Sequence, residues 1–129
     1  MSRTMDGWID GRGQPVMSVR LAGLEDPYVA LIDTGFNREL IIFEEHAVQA
    51  CLSIRHSRVP ILLADGFRSE FLVSKGVVEW FGVEKIVELF IIPGPAPRVG
   101  RWQIGTQLLQ DCRLEIDFLT RSVRLFRDG

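Results

Sequence analysis

The chain has 129 residues, 47% hydrophobic and 25% charged, with a net charge of −2. That length suits one domain spanning 1–129, whose core needs neither a disulfide framework nor a metal, and the composition excludes a disordered chain. The near-balance of charge leaves no basic footprint for nucleic acid or an anionic membrane.

The opening MSRTMDGWIDGRG lacks the apolar segment of a signal peptide, and no apolar stretch approaches a membrane span, so a cytoplasmic protein is expected. Asp10-Gly11-Arg12-Gly13 is turn chemistry and joins Trp8–Ile9 to Pro15–Leu21 as a hairpin, with Met17, Val19 and Leu21 on one face. Gly23 to Pro27 is a second turn. Tyr28 to Ile32 is almost wholly apolar, as expected of a strand buried on both faces, and it stops at Asp33-Thr34-Gly35. Glu39 to Phe43 reads as extended. Glu44 to Leu52 reads as a short helix with acids in its first turn and Ala47, Val48, Cys51 and Leu52 as its apolar face. Val59–Ala64 and Phe67–Val73 flank Asp65-Gly66, a two-residue hairpin signal. Val77–Phe81 and Glu84–Ile92 pair around Gly82. Pro93 to Gly100 is a proline- and glycine-rich loop. Thr106 to Asp111 is a second short helical stretch, and Leu114–Phe118 with Ser122–Phe126 forms a closing hairpin. The pattern is all-β with one or two short helices.

Candidate chemistry centres on Asp33. A carboxylate directly after a buried strand is partly desolvated, which favours its protonated form. Gly35 lets the chain turn sharply and approach a bound molecule closely. Alone, Asp-Thr-Gly equally describes an Asx-type turn at a strand end. Asp65, Asp111 and Asp117 read as solvated turn or strand-end residues. His46 and His56 lack metal spacing and read as surface or helix-cap residues, and Cys51 and Cys112 read as buried free thiols. Trp8, Trp80 and Trp102 read as core and interface anchors.

A second motif sharpens Asp33. Ile104-Gly105, two further residues, the pair Leu108-Leu109 and a strand ending near Phe118 resemble the C-terminal signature of retroviral-type (retropepsin-like) aspartic proteases. The apolar run into Asp33-Thr34-Gly35, followed by Phe36 to Ile42, resembles the same family's active-site segment. Met5 to Leu21 is similar to the opening hairpin of the family's bacterial single-domain members.

The resemblance implies a closed acid-protease barrel with one lobe per chain, and peptide-bond hydrolysis by two Asp33 carboxylates in a homodimer, with no metal or organic cofactor. Asp33, Thr34 and Gly35 would form the catalytic loop, braced by Leu31, Ile32, Ile104 and Gly105. Phe36 and Asn37, together with Ala64, Asp65, Gly66 and Phe67 at the tip of a flap hairpin, would contact a peptide held extended. Phe36 replaces a small residue of the family pattern and Asn37 replaces an acid, so specificity does not carry over. The chain also continues beyond Phe118, so Ser122–Phe126 is expected to fold back within its own subunit. A second implied reading is the same fold used as a catalytically silent peptide-binding or dimerisation module. A third treats the motifs as chance on an unrelated β barrel, and would require Asp33 to lie far from Ile104-Gly105.

Overall fold

The structure, a computed structural model, describes residues 3–57, 61, 62, 68, 69 and 71–128. Thr4–Ile9 (β1) and Pro15–Val19 (β2) form the expected hairpin, with Trp8 opposite Val16 and Ile9 opposite Pro15. Its turn closes on Asp10, whose Oδ1 accepts the N–H groups of Arg12 at 2.8 Å and Gln14 at 3.0 Å. Asp10 is buried, and its Oδ2 lies 2.9 Å from Nη2 of Arg101. The Gln14 and Arg12 backbone bonds hold this carboxyl below its ordinary range against the opposing effect of burial, and Arg101 helps.

Tyr28–Ile32 (β3) and Leu40–Phe43 (β4) follow, then a helix, Glu44–Gln49 (α1). Beyond it come Arg55–His56 (β5), Ile61–Leu62 (β6), Arg68–Ser69 (β7), Leu72–Trp80 (β8) and Val83–Ile92 (β9). Trp102–Ile104 (β10), Cys112–Asp117 (β11) and Ser122–Arg127 (β12) complete the chain. The turn from β8 to β9 is Phe81-Gly82, with φ of 53° and 78°, the left-handed pair of a type I′ turn.

Ten strands form one sheet in the order β11-β12-β1-β2-β3-β10-β4-β9-β8-β5, and β6 pairs with β7 in a second. The fold is therefore mostly β, as the sequence indicates. The closed barrel is not, because among the described residues β11 and β5 end the order unpaired with each other. The sheet instead curls back through a bridge between Leu21 and Val78, flanked by bonds from Ala22 N to Val77 O (2.8 Å) and from Glu79 N to Arg20 O (3.1 Å). A main core that includes Met17, Ala30, Ile32, Leu40, Ile42, Leu89, Trp102 and Ile104 fills the inner face.

Two local expectations change. Thr106 to Asp111 is not helical but a run of turns, with Leu108 N donating to Gly105 O and Leu109 N to Thr106 O, both at 3.2 Å. The helix α1 stops at Gln49, because Cys51 adopts φ 58° while Cys51 N bonds Val48 O and Leu52 N bonds Ala47 O, a Schellman ending. Cys51 is consequently exposed rather than buried, Val48 is 61% exposed, and Ala47 alone of the helix is fully enclosed. Trp80 and Trp102 are core residues as expected, whereas Trp8 is 39% exposed. None of the helices among the described residues is long and apolar enough to cross a membrane.

His46 is not a surface residue. Its Nδ1 accepts the indole N–H of Trp102 at 3.0 Å, within a cluster where Tyr28 stacks on Trp102 and contacts His46. Desolvation pulls its pKa below the ordinary imidazole value, with Glu45 partly opposing. The indole N–H can donate only to an unprotonated Nδ1, which acts in the same direction. Because the folded value lies below the unfolded one, the unfolded chain takes up the proton first. The stability that neutral His46 contributes is present above the unfolded value, about 6.5, and is lost as pH falls through the folded value. The melting temperature of the parent is expected to drop more steeply between about pH 7 and pH 5 than that of His46→Gln, which keeps an acceptor but does not titrate. Equal slopes would exclude this role.

Candidate active site

Asp33 leaves β3 at the point where β10 lies beside it. The two strands run parallel, with Trp102 opposite Ala30, Gln103 opposite Leu31 and Ile104 opposite Ile32. On its other side β10 pairs antiparallel with β4, Gln103 opposite Ile41 and Ile104 opposite Leu40. A late strand is thus inserted between two strands that are neighbours in sequence, and the segment between them, 33–39, must pass around its end.

Five backbone bonds fix that crossing. Asp33 N donates to Ile104 O at 2.9 Å, extending the β3–β10 ladder onto the carboxylate residue itself. Gly105 N donates to Glu39 O at 2.9 Å, Thr106 N to Phe36 O at 2.8 Å and Gln107 N to Arg38 O at 3.2 Å. Phe36 N closes the turn onto Asp33 O at 3.1 Å. The carboxylate joins the same turn, since its Oδ1 accepts the Gly35 N–H at 2.9 Å. This is the Asx-type geometry open to any aspartate at a strand end, but one oxygen is now fixed in direction by a braced loop.

The segment crosses so close to Gly105 that a side chain there has no room. A Cβ would collide with the Arg38 carbonyl oxygen and would lie 2.6 Å from Cδ2 of Phe36. The reason for glycine at 105 is therefore close approach rather than an unusual backbone angle.

Register identifies the face on which Asp33 opens. Residues directly opposite in a ladder share a face. One row runs Trp8, Val16, Leu31, Gln103, Ile41, Phe90, Val73, Arg55 across eight strands. Asp33, two residues past Leu31, continues that face, opposite to the main core. Phe36, Ile41, Phe71 and Phe90 form a second, smaller apolar cluster, with the Phe36 and Phe90 rings edge to face at 6.2 Å. Such edge-to-face pairs add about 1 kcal/mol to what burial alone contributes.

Of the sequence-derived residues, the structure brings together Leu31, Ile32, Asp33, Thr34, Gly35, Ile104 and Gly105. Asp33 is half-buried, Thr34 and Gly35 are exposed, and Leu31 is half-exposed beside them. The chance-motif reading required Asp33 to be far from Ile104-Gly105, and the bond from Asp33 N to Ile104 O removes it. Phe36 is fully enclosed beneath the loop, so it supports the turn rather than offering a surface to a ligand, whereas Asn37 is exposed. Ala64, Asp65, Gly66 and Phe67 lie outside the described residues; the strands on either side pair antiparallel, Ile61 with Ser69 and Leu62 with Arg68. Asp111 is an exposed turn residue and Asp117 the exposed last residue of β11, where its Oδ1 accepts the N–H groups of Leu119 and Thr120. No grouping of His, Cys, Asp and Glu suited to a metal occurs among the described residues. The pair of buried Asp10 and half-buried Arg101 escaped sequence reasoning because its members are far apart in the chain and Asp10 reads there only as a turn former.

No protein-family model and no curated protein matches the chain. Among solved structures it is similar to EIAV protease complexed with the inhibitor HBY-793, at 15% identity and a TM-score of 0.57, over 79% of this chain and 90% of that one. At that identity the likeness establishes the fold, which is retropepsin-like.

The crossing predicts a specific sensitivity. Gly105→Ala is expected to destabilise the protein by about 3 kcal/mol, because either strand β10 or the Asp33 loop must shift to clear the methyl group. Urea unfolding measures it, and a loss below about 0.5 kcal/mol would mean that the two segments are not in contact in solution.

Proposed function

We propose that this chain is a single-domain aspartic endopeptidase acting as a homodimer, with one Asp33 carboxylate from each subunit. The observation that carries the reading is the braced Asp33 loop on a retropepsin-like fold. The carboxylate sits half-exposed at a strand end with one oxygen oriented by Gly35, and its backbone is tied to Ile104.

The chemistry follows from putting two such carboxylates side by side. Adjacent negative charges repel, so the pair holds one proton between them. The ionised member takes a proton from a water molecule as that water attacks the peptide carbonyl carbon. The protonated member hydrogen-bonds the carbonyl oxygen as charge develops there. In the tetrahedral intermediate the proton then passes to the amine nitrogen, the C–N bond breaks, and the pair is restored to its singly protonated state. No metal ion or organic cofactor takes part. The step needs both carboxylates, and the chain holds one Asp-Thr-Gly, so the second comes from another copy.

The dimer contact in this reading is not an exchange of terminal strands. Strand β12 pairs with β1 along Thr4–Phe126 to Trp8–Ser122, and with β11 along its whole length, so both ends of the described chain are already engaged within one subunit.

Two measurements test the proposal. Asp33→Asn is expected to lower peptide cleavage by at least about a thousandfold with melting temperature preserved, and the parent is expected to work best at acidic pH. Cleavage by the variant at the parent's rate would end the aspartic mechanism. If peptides bind but neither protein cuts them, the chain is the catalytically silent binding module instead. Separately, adding excess Asp33→Asn protein to a fixed amount of parent is expected to depress its activity as mixed dimers form. Activity indifferent to the added variant, and strictly proportional to parent concentration down to nanomolar levels, would contradict a reversible dimer.

A further inference from the structure

The face that carries Asp33 continues across the sheet to a cavity of about 220 Å3 whose walls include Arg38, Arg55, Lys75 and Glu88, over a floor that includes Val73 and Phe90. Register places these on one side. Val73 and Phe90 are opposite each other, Lys75 is opposite Glu88 two residues along, and Arg55 is opposite Val73. Arg38 enters from the Asp33 loop itself, its guanidinium carbon 5.7 Å from the centre of the Phe90 ring. The cavity is thus joined to the candidate active site both by the sheet face and by the loop.

Its charge is unbalanced. Three cations and one carboxylate line it, and a second carboxylate, Glu39, stands at its edge with Oε1 accepting the Glu88 N–H at 3.0 Å. The lining carboxylate is only loosely engaged: Arg38 Nη1 and Glu88 Oε1 are 4.0 Å apart, on side chains that are 39% and 47% exposed. A pair of that kind contributes little. Among the described residues neither Arg55 nor Lys75 forms an ion pair. An apolar floor below a cationic rim suits a short aliphatic stem ending in a carboxylate, which guanidinium groups bind with directed hydrogen bonds.

Building on the proteolytic reading above, we infer that this cavity is a specificity subsite for an acidic side chain of the peptide, Glu or Asp. Its place in the substrate follows from spacing. Four strand steps separate β3 from β8 in the sheet order, which at about 4.8 Å each is about 19 Å along a flat sheet and less on a curled one. An extended peptide advances about 3.3 Å per residue, so the acidic residue sits about four to six residues from the bond that is cut, on one side of it.

A degenerate dodecapeptide library tests this. Products cut by the parent should be enriched in Glu and Asp in that window. A matched pair made from a selected sequence should show about a tenfold higher kcat/KM for Glu than for Gln, mainly through KM and diminished by added salt. Arg55→Glu and Lys75→Glu, both on exposed strand positions, should abolish or reverse the preference. The same library passed over immobilised Asp33→Asn protein examines the cavity without requiring cleavage: retained peptides should be acidic, and the bias should vanish with Arg55→Glu. Cleavage without acidic enrichment overturns the subsite and leaves the protease reading intact. Acidic retention without cleavage by the parent overturns the protease reading and keeps the cavity's preference. An acidic bias that survives both charge reversals assigns the preference elsewhere and overturns the subsite.

Discussion

The arrangement around Asp33 depends on one steric fact: strand β10 fits between β3 and β4 only because residue 105 has no side chain. The Asp33 loop passes over that residue and exchanges backbone bonds with the segment on either side of it, from Ile104 to Gln107. Each of these bonds is of ordinary strength, about 1 kcal/mol net. Their value lies in being made to backbone atoms at both ends of one short loop, so that the carboxylate's direction is set by main chain rather than by a mobile side-chain neighbour. Phe36 completes the support from below, where its enclosed ring links the loop to Ile41 and Phe90.

How much of this could be read beforehand differs from residue to residue. The turn at Asp10 to Gly13 and the hairpin around Gly82 are local statements about turn chemistry, and both hold. The apolar run ending at Asp33 is a strand, but Ala30 and Ile32 are buried while Tyr28, Val29 and Leu31 are only half-buried, so it is not enclosed on both faces. The Ile104-Gly105 motif marked the bracing segment, but the periodicity of three residues cannot say that β10 runs parallel to one neighbour and antiparallel to the other. The helical appearance of Thr106 to Asp111 was misleading for a physical reason. Thr106 and Gln107 donate their N–H groups to the Asp33 loop, and Asp111 adopts φ 65°, so the segment is drawn into successive turns. The same holds at Cys51, where a left-handed residue ends the helix early without the glycine that usually announces it.

Charged and aromatic groups were the least legible. Asp10 looks like a solvated turn residue until Arg101 is found against it, and His46 looks like a helix-surface residue until the Trp102 indole is found donating to it. Both depend on a partner more than fifty residues away, for which no local pattern exists. The terminal region shows the reverse. Its hairpin is locally predictable, and the fold-back of Ser122–Phe126 onto β1 agrees with the chain continuing past Phe118.

The insertion of β10 also orders events in time. Strand β3 is made early during synthesis, but the residues that brace its end lie at 104–107, separated from it by β4, the helix and the long β8–β9 ribbon. Contacts of such large sequence separation form late, since the loop they close must be ordered first. Until then Asp33 ends an unsupported strand. A chain still emerging from the ribosome therefore carries the aspartate without the geometry that orients it, and whatever that oriented carboxylate does must wait for residues 104–107.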